Sequence, residues 1–162
     1  MPNNKSTTAV RYHDISCGHR VVGHENKCRH LHGHNYRVTF TVQMEGENTT
    51  DGIGRVMDFS VIKEKLCMWL EEHWDHKMLL WKNDPIRNFI DPQIETHVSL
   101  KTAADIVHDS IVYVSFNPTA ENMAQHLVEV VGPFQLQGTG VRLVKCSVEE
   151  TRKCSAEYSI SD

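Results

Sequence analysis

The sequence has no long hydrophobic run: nothing approaches the ~18 apolar residues that a membrane-spanning helix needs, so no transmembrane anchor is expected. Nor has it an excess of positive charge. Lysines and arginines number 17 against 21 aspartates and glutamates, and the resulting net charge of −4 leaves no electrostatic footprint for nucleic acid. No basic run suggests a membrane surface. Cys17, Cys28, Cys67, Cys146 and Cys154 form no C-x-x-C pair, and an odd count of five argues against a disulfide framework and against a thiolate-rich structural zinc site. Free thiols are expected. Internal repeats and low-complexity tracts are also missing. Residues 1–8 are polar and lack the apolar core of a signal peptide, so they read as a flexible start and a cytoplasmic location is expected.

What is present fits one soluble domain. A length of 162 residues suffices for a single core and is short for two. The richest window is Cys28-Arg29-His30-Leu31-His32-Gly33-His34-Asn35-Tyr36. The following residues alternate, with Val38, Phe40, Val42 and Met44 apolar and Arg37, Thr39, Thr41 and Gln43 polar, which predicts a half-buried strand. On a strand, residues two apart face the same way, so His32 and His34 can present two imidazoles to one ion. Zinc in a catalytic site takes three protein ligands and keeps a position open, which calls for a third histidine. His19 is the best candidate, because Ile15, Cys17 and His19 share a face of an earlier extended segment; His24 and His30 are the alternatives. An H-x-H pair alone is weak, since such histidines are commonly surface residues. Cys28 sits in a polar loop beside Lys27 and Arg29, surroundings typical of reactive thiols, whereas Cys67 and Cys146 read as small buried apolar residues.

Along the chain, Ala9 to His19 reads as a strand, Arg20 to Leu31 as a functional loop, and His32 to Met44 as the partner strand. Asp58 or Ser60 can cap a helix whose apolar positions Ile62, Leu66, Trp69 and His73 recur at helical spacing to about His73. Asp75-His76 follows in non-repetitive chain. The segment 81–116 is the least legible, with Pro85 and Pro92 interrupting it, a short helix conceivable over Ser99–His108 and a short strand at Ile111–Val114. Thr119 caps a second helix with an apolar stripe of Ala120, Met123, Ala124, Leu127, Val130 and Val131, and Gly132-Pro133 is expected to stop it. Glu121 suits the positive end of that helix. Val141 to Glu150 reads as a strand with Val144, Cys146, Val148 and Glu150 on one face and Glu149 solvated on the other, and residues 156–160 can pair back on it. The order strand, strand, helix, helix, strand, strand predicts an α+β domain with helices on one face of an antiparallel sheet.

Taken together, Gly18-His19-Arg20-Val21, Lys27-Cys28, Leu31-His32-Gly33-His34-Asn35-Tyr36, Val56-Met57-Asp58-Phe59, Asp75-His76, Pro118-Thr119-Ala120-Glu121-Asn122 and Glu150-Thr151 before Tyr158 resemble a known family. It is the group of 6-pyruvoyl-tetrahydropterin and 6-carboxy-tetrahydropterin synthases, and the pieces occur in the family's order over nearly the whole chain. The resemblance implies a tunnelling fold, a four-stranded antiparallel sheet with two helices on one face that assembles into trimers and hexamers. It implies zinc on His19, His32 and His34, a catalytic Cys28 completed by Asp75 and His76, and a pterin ring anchored by Glu150. The implied substrate is 7,8-dihydroneopterin triphosphate. The spacing from Cys28 to His32 looks more like the carboxy-forming branch, which releases acetaldehyde and serves queuosine and other deazapurines, than the pyruvoyl-forming branch. A zinc- or pterin-binding protein without turnover is the non-enzymatic alternative, and Cys28 with Asp75-His76 speaks against it. Two departures stand out: Val21 replaces the usual leucine, and the segment 81–116 is longer than in compact members. His13, His24, His30, His73, His97, His108 and His126 are assigned no role, although His24 and His30 lie near enough in the loop to touch a substrate phosphate.

Overall fold

In the computed structural model the described residues are 5–96 and 101–161. The alternating segments form the centre of the sheet. β1 (Thr8–His19) and β2 (His32–Met44) pair antiparallel over their full lengths, from Thr8 opposite Gln43 to His19 opposite His32. Period-two burial follows the pattern in the residues: Ile15, Cys17, His19, Tyr36, Val38 and Phe40 are buried on one face, while Val10 and Tyr12 on the other are half exposed. β5 (Val141–Thr151) pairs antiparallel with β2, and β6 (Cys154–Ser159) with β5. Both expected strand pairs are found. Of the flexible start expected over 1–8, residues 1–4 lie outside the described residues, and Thr8 already belongs to β1.

The expectation of four antiparallel strands is corrected. The sheet has six strands and is mixed: two short strands, Ile111–Val114 (β4) and Met78–Trp81 (β3), precede the rest in the order β4-β3-β1-β2-β5-β6. β3 runs parallel to the end of β1, and β4 runs parallel to β3. Met78-Leu79-Leu80-Trp81 could not announce itself by alternation, because it is only four residues long and Leu79 and Leu80 are both fully buried. A parallel pair also needs a crossover. The chain between β3 and β4 supplies it, with helices at Arg87–Thr96 and Lys101–Ser110. Pro92 lies inside the first of these instead of breaking it, and Pro85 sits just ahead of its opening turn, where a missing N–H costs little. The suggested helix start at Ser99 and the histidine at position 97 lie outside the described residues.

Two longer helices cover the buried face. Helix 59–73 opens on Asp58, whose carboxylate accepts from the Ser60 N–H at 2.8 Å. Its middle, Lys63–Cys67, is a π turn, which widens the ladder by one residue and shifts the apolar phase. Ile62, Leu66, Cys67 and Leu70 are therefore the buried positions, whereas Trp69 is half buried and the expected His73 is exposed and stacks on Trp69 at 4.5 Å. Helix 120–135 begins at Thr119, whose hydroxyl accepts from Asn122 N–H. It buries Ala120, Met123, Ala124, Leu127, Val128 and Val131, while Val130 of the expected stripe is 54% exposed.

Gly132-Pro133 does not stop this helix, which continues to Gln135. A π turn at Leu127–Val131 has already passed the ladder from i−4 to i−5, with Gly132 N–H bonded to Leu127 O just before the proline lacks its own donor. Gly132 has another reason to be glycine. A Cβ there would meet the Leu143 Cβ at 2.8 Å, so its absence lets the helix lie directly on β5.

Candidate active site

The β1–β2 register assembles the site. His19 stands opposite His32, His34 follows two residues on along the same face, and the ligand-capable nitrogens of all three lie within 4.8 Å of one another. His19 is 1% exposed and the other two are half buried. Carbonyls set the tautomers: His19 Nδ1–H donates to Pro118 O at 2.6 Å and His32 Nδ1–H to His30 O at 2.7 Å. Their Nε2 lone pairs then face each other at 3.0 Å. Two neutral imidazoles gain nothing from that approach unless they share a cation. Zn–N bonds of about 2.0–2.1 Å in tetrahedral geometry put neighbouring nitrogens about 3.3 Å apart, close to this spacing. His34 Nε2 is buried with no hydrogen-bond partner, which suits a nitrogen that ligates a metal. The three histidines fit a metal of the zinc type. Second partners on the non-ligating nitrogens are the usual way such rings are oriented.

Burial favours the neutral form of His19 and of His34. It pushes the His19 imidazole down to about 4, with the Pro118 carbonyl opposing and His32 and His34 adding to the effect. Burial also lowers the His34 value, against the opposing charge of Glu150. That carboxylate lies where β5 is irregular, between Glu149 and Thr151. Its oxygens stand 3.6 Å from His34 Nε2 and 3.9 Å from His19 Nε2. The apolar face of β5 thus ends on an acid at the histidine cluster.

Cys28 occupies a 3₁₀ turn, Lys27–Arg29, where it is half buried and its carbonyl accepts from Val21 N–H at 2.8 Å. Asp75 and His76 form a pair, His76 Nδ1 lying 2.9 Å from Asp75 Oδ2. Ser16 grips both, its N–H donating to Asp75 Oδ1 and its carbonyl accepting from His76 N–H. His76 takes φ 60°, and its side chain is 80% exposed. Burial works against the Asp75 charge, but the Ser16 N–H and His76 hold its carboxyl below the usual range. The pair lines a cavity of about 590 Å³ on the uncovered sheet face with Asp14, Arg37, Glu149 and Arg152. A neighbouring cavity of about 520 Å³ is shared by His76 and His34. Cys28 lines neither of these two cavities; its thiol lies within electrostatic reach of Tyr36, which packs against His19 and His34.

Among the described histidines outside the cluster, the nearer partners are structural. His13 pairs with Glu71 at 2.6 Å, His24 accepts from Asn26 N–H, and His126 packs between Trp74 and Phe116. Glu149 points to the opposite face from Glu150, as expected, and Glu121 is exposed in its helix's first turn. Sequence reasoning missed the supporting residues Tyr36 and Asn117. Tyr36 packs edge-on against His19 and His34, its buried hydroxyl unpartnered. Asn117 clamps Val22 through both backbone groups, at 3.0 and 2.9 Å, which steadies the Pro118 carbonyl beside His19. Tyr36 closes the recognised motif that carries His32 and His34, and Asn117 adjoins the one that opens at Pro118; those positions were the available signal.

The profile of the family described as 6-pyruvoyl tetrahydropterin synthase matches residues 8–161. The chain belongs to this family. Among curated relatives, proteins named 6-carboxy-5,6,7,8-tetrahydropterin synthase from Rickettsia bellii and Rickettsia typhi are 33% and 35% identical over 144 residues, covering 89% of this chain and 94% of theirs. Among solved structures, an uncharacterized protein of Wolinella succinogenes superposes with a TM-score of 0.79 at 24% identity, covering 96% of this chain and 98% of its own. The 6-pyruvoyl tetrahydropterin synthase of Caenorhabditis elegans superposes at 0.60 with 21% identity and 96% coverage of both chains. At these identities the likeness speaks for the fold, and the family's tunnelling architecture is the one found, with six strands in place of the four expected. No described helix is long and apolar enough to cross a membrane.

Proposed function

We propose that this 6-pyruvoyl tetrahydropterin synthase family member is a zinc-dependent lyase that converts 7,8-dihydroneopterin triphosphate to 6-carboxy-5,6,7,8-tetrahydropterin, releasing acetaldehyde and triphosphate. The supporting relatives carry the carboxy-forming name. The observation that carries the reading is the convergence of His19, His32 and His34, with Glu150 at their open side. His19, His32 and His34 hold the metal, which when bound polarises a side-chain oxygen of the substrate as a Lewis acid. Glu150 accepts hydrogen bonds from the pterin ring N–H and amino group, two adjacent donors that match a planar carboxylate. Cys28 is the thiol that moves a proton at the side-chain carbons, and Asp75 orients His76 as its proton-transfer partner. The working unit is an oligomer, a trimer or hexamer formed through sheet edges. The product serves queuosine and related deazapurine synthesis in the cytoplasm.

The test is incubation of zinc-loaded protein with 7,8-dihydroneopterin triphosphate, measuring acetaldehyde and the pterin product by mass. Acetaldehyde with the 6-carboxy product is expected. A 6-pyruvoyl product without acetaldehyde would move the chain to the sister reaction, and zinc binding with no turnover would support a non-catalytic pterin-binding protein.

A further inference from the structure

The segment between β3 and β4 has no role in the chemistry as derived, yet its first turn holds a buried acid. Asp84 is 2% exposed, and its carboxylate is gripped at three points. Arg20 Nε donates to Oδ2 at 2.5 Å, Arg20 Nη2 to Oδ1 at 2.7 Å, and Ile86 N–H to Oδ1 at 2.9 Å. A charge pair this buried is costly to assemble and, once half of it is removed, strongly destabilising. The guanidinium has one more arm in use. Arg20 Nη1 donates to Arg29 O at 2.9 Å, the last residue of the 3₁₀ turn that carries Cys28.

The turn is tied at a second point, where Val21 N–H donates to Cys28 O at 2.8 Å. Both ties come from the two residues directly after His19, so the thiol's backbone is referenced to the strand end that carries a histidine of the cluster. An arginine can fork onto a carboxylate and still present a third N–H at a fixed angle. A lysine cannot. Without Asp84 the guanidinium loses the groups that fix its plane, and with them the direction of the Nη1–H bond to the Cys28 turn.

We propose that Asp84, acting through Arg20, is a positioning residue for the Cys28 thiol, and that the long β3–β4 crossover therefore holds the reacting turn in register with the histidine cluster. The inference rests on the reading of Cys28 as the reacting thiol. It gives the crossover a part in turnover through the Cys28 turn.

The experiment compares Asp84→Asn and Arg20→Lys with the parent as zinc-loaded full-length protein, all in a Cys154→Ser background that removes the exposed thiol. Steady-state turnover and the rate of iodoacetamide alkylation at each cysteine are followed, the latter by mass spectrometry. A displaced turn lowers kcat about tenfold or more while KM for the pterin moves less than about threefold, because substrate contacts are untouched. Cys28 alkylation rises about threefold or more from local opening of the turn. Cys67 and Cys146, both 0% exposed, stay unreactive and report that the core is intact. Parent-like kcat with unchanged Cys28 alkylation overturns the proposal. So does a rise at Cys28, Cys67 and Cys146 together, which is global loosening. If Asp84→Asn does not fold, Arg20→Lys, which keeps the charge, decides by the same criteria. A parent without turnover refutes the proposed reaction, whereas the alkylation pattern still judges the positioning.

Discussion

Tyr36 carries a buried hydroxyl with no partner beside His19 and His34, and burial pushes its phenol well above the ordinary range. An unsatisfied buried hydroxyl costs on the order of 1–3 kcal/mol, so Tyr36→Phe is expected to leave the metal-free protein as stable or more stable by about 1 kcal/mol, read from the urea midpoint. A loss of that size would mean the hydroxyl has a partner in solution. Glu150 allows a sharper test, because a carboxylate 3.6 Å from His34 Nε2 could serve either the pterin or the ion. If it anchors the pterin, Glu150→Gln keeps stoichiometric zinc by elemental analysis while KM rises about tenfold to a hundredfold. Zinc lost with the substitution would make Glu150 a ligand instead.

At the scale of elements, the two long helices each contain a π turn, and in both the consequence is a change of phase that spacing could not show. The apolar stripe of helix 59–73 moves from Trp69 to Leu70, and Gly132-Pro133 is carried inside helix 120–135. Gly132→Ala tests the second point. The new methyl would meet Leu143 on a neighbouring strand, so a loss of about 1–3 kcal/mol is expected in chemical denaturation, larger than an ordinary glycine-to-alanine gain in a helix. Unchanged or raised stability would show that the helix can shift away from β5. The strands of the functional half were legible from alternation, since each has one wet and one dry face. β3 was not, because its two central residues are both buried and four residues hold too little pattern.

For the whole molecule, pH acts through imidazoles held neutral. Burial lowers the values of His19, His34 and His126, so the unfolded chain binds more protons than the folded one once pH falls below about 6.5. With more protons on the unfolded side, stability rises with pH. The metal-free protein is therefore expected to lose stability steadily from about pH 6.5 toward pH 4, where His19 itself takes up its proton. Urea midpoints at pH 7.5 and 5.0 after chelation check this, and a midpoint that does not fall at pH 5.0 would contradict it. Zinc steepens the same dependence, because protons and metal compete for the ligand nitrogens.

The sequence by itself determined the face of the histidine cluster, because side-chain direction on a strand follows from local alternation: His32 and His34 had to face one way, and Glu150 had to end the apolar face of β5. Caps at Asp58 and Thr119 were local as well, each a hydrogen bond spanning two or three residues. Only the tertiary structure decided what depends on contacts distant in the chain. It selected His19 over His24 and His30 through the antiparallel register, and oriented that ring by a carbonyl 99 residues away. It also joined Arg20 to Asp84 across 64 residues and made the 81–116 segment a parallel crossover. Such pairings depend on which surfaces meet after the chain has folded, and no local period encodes them.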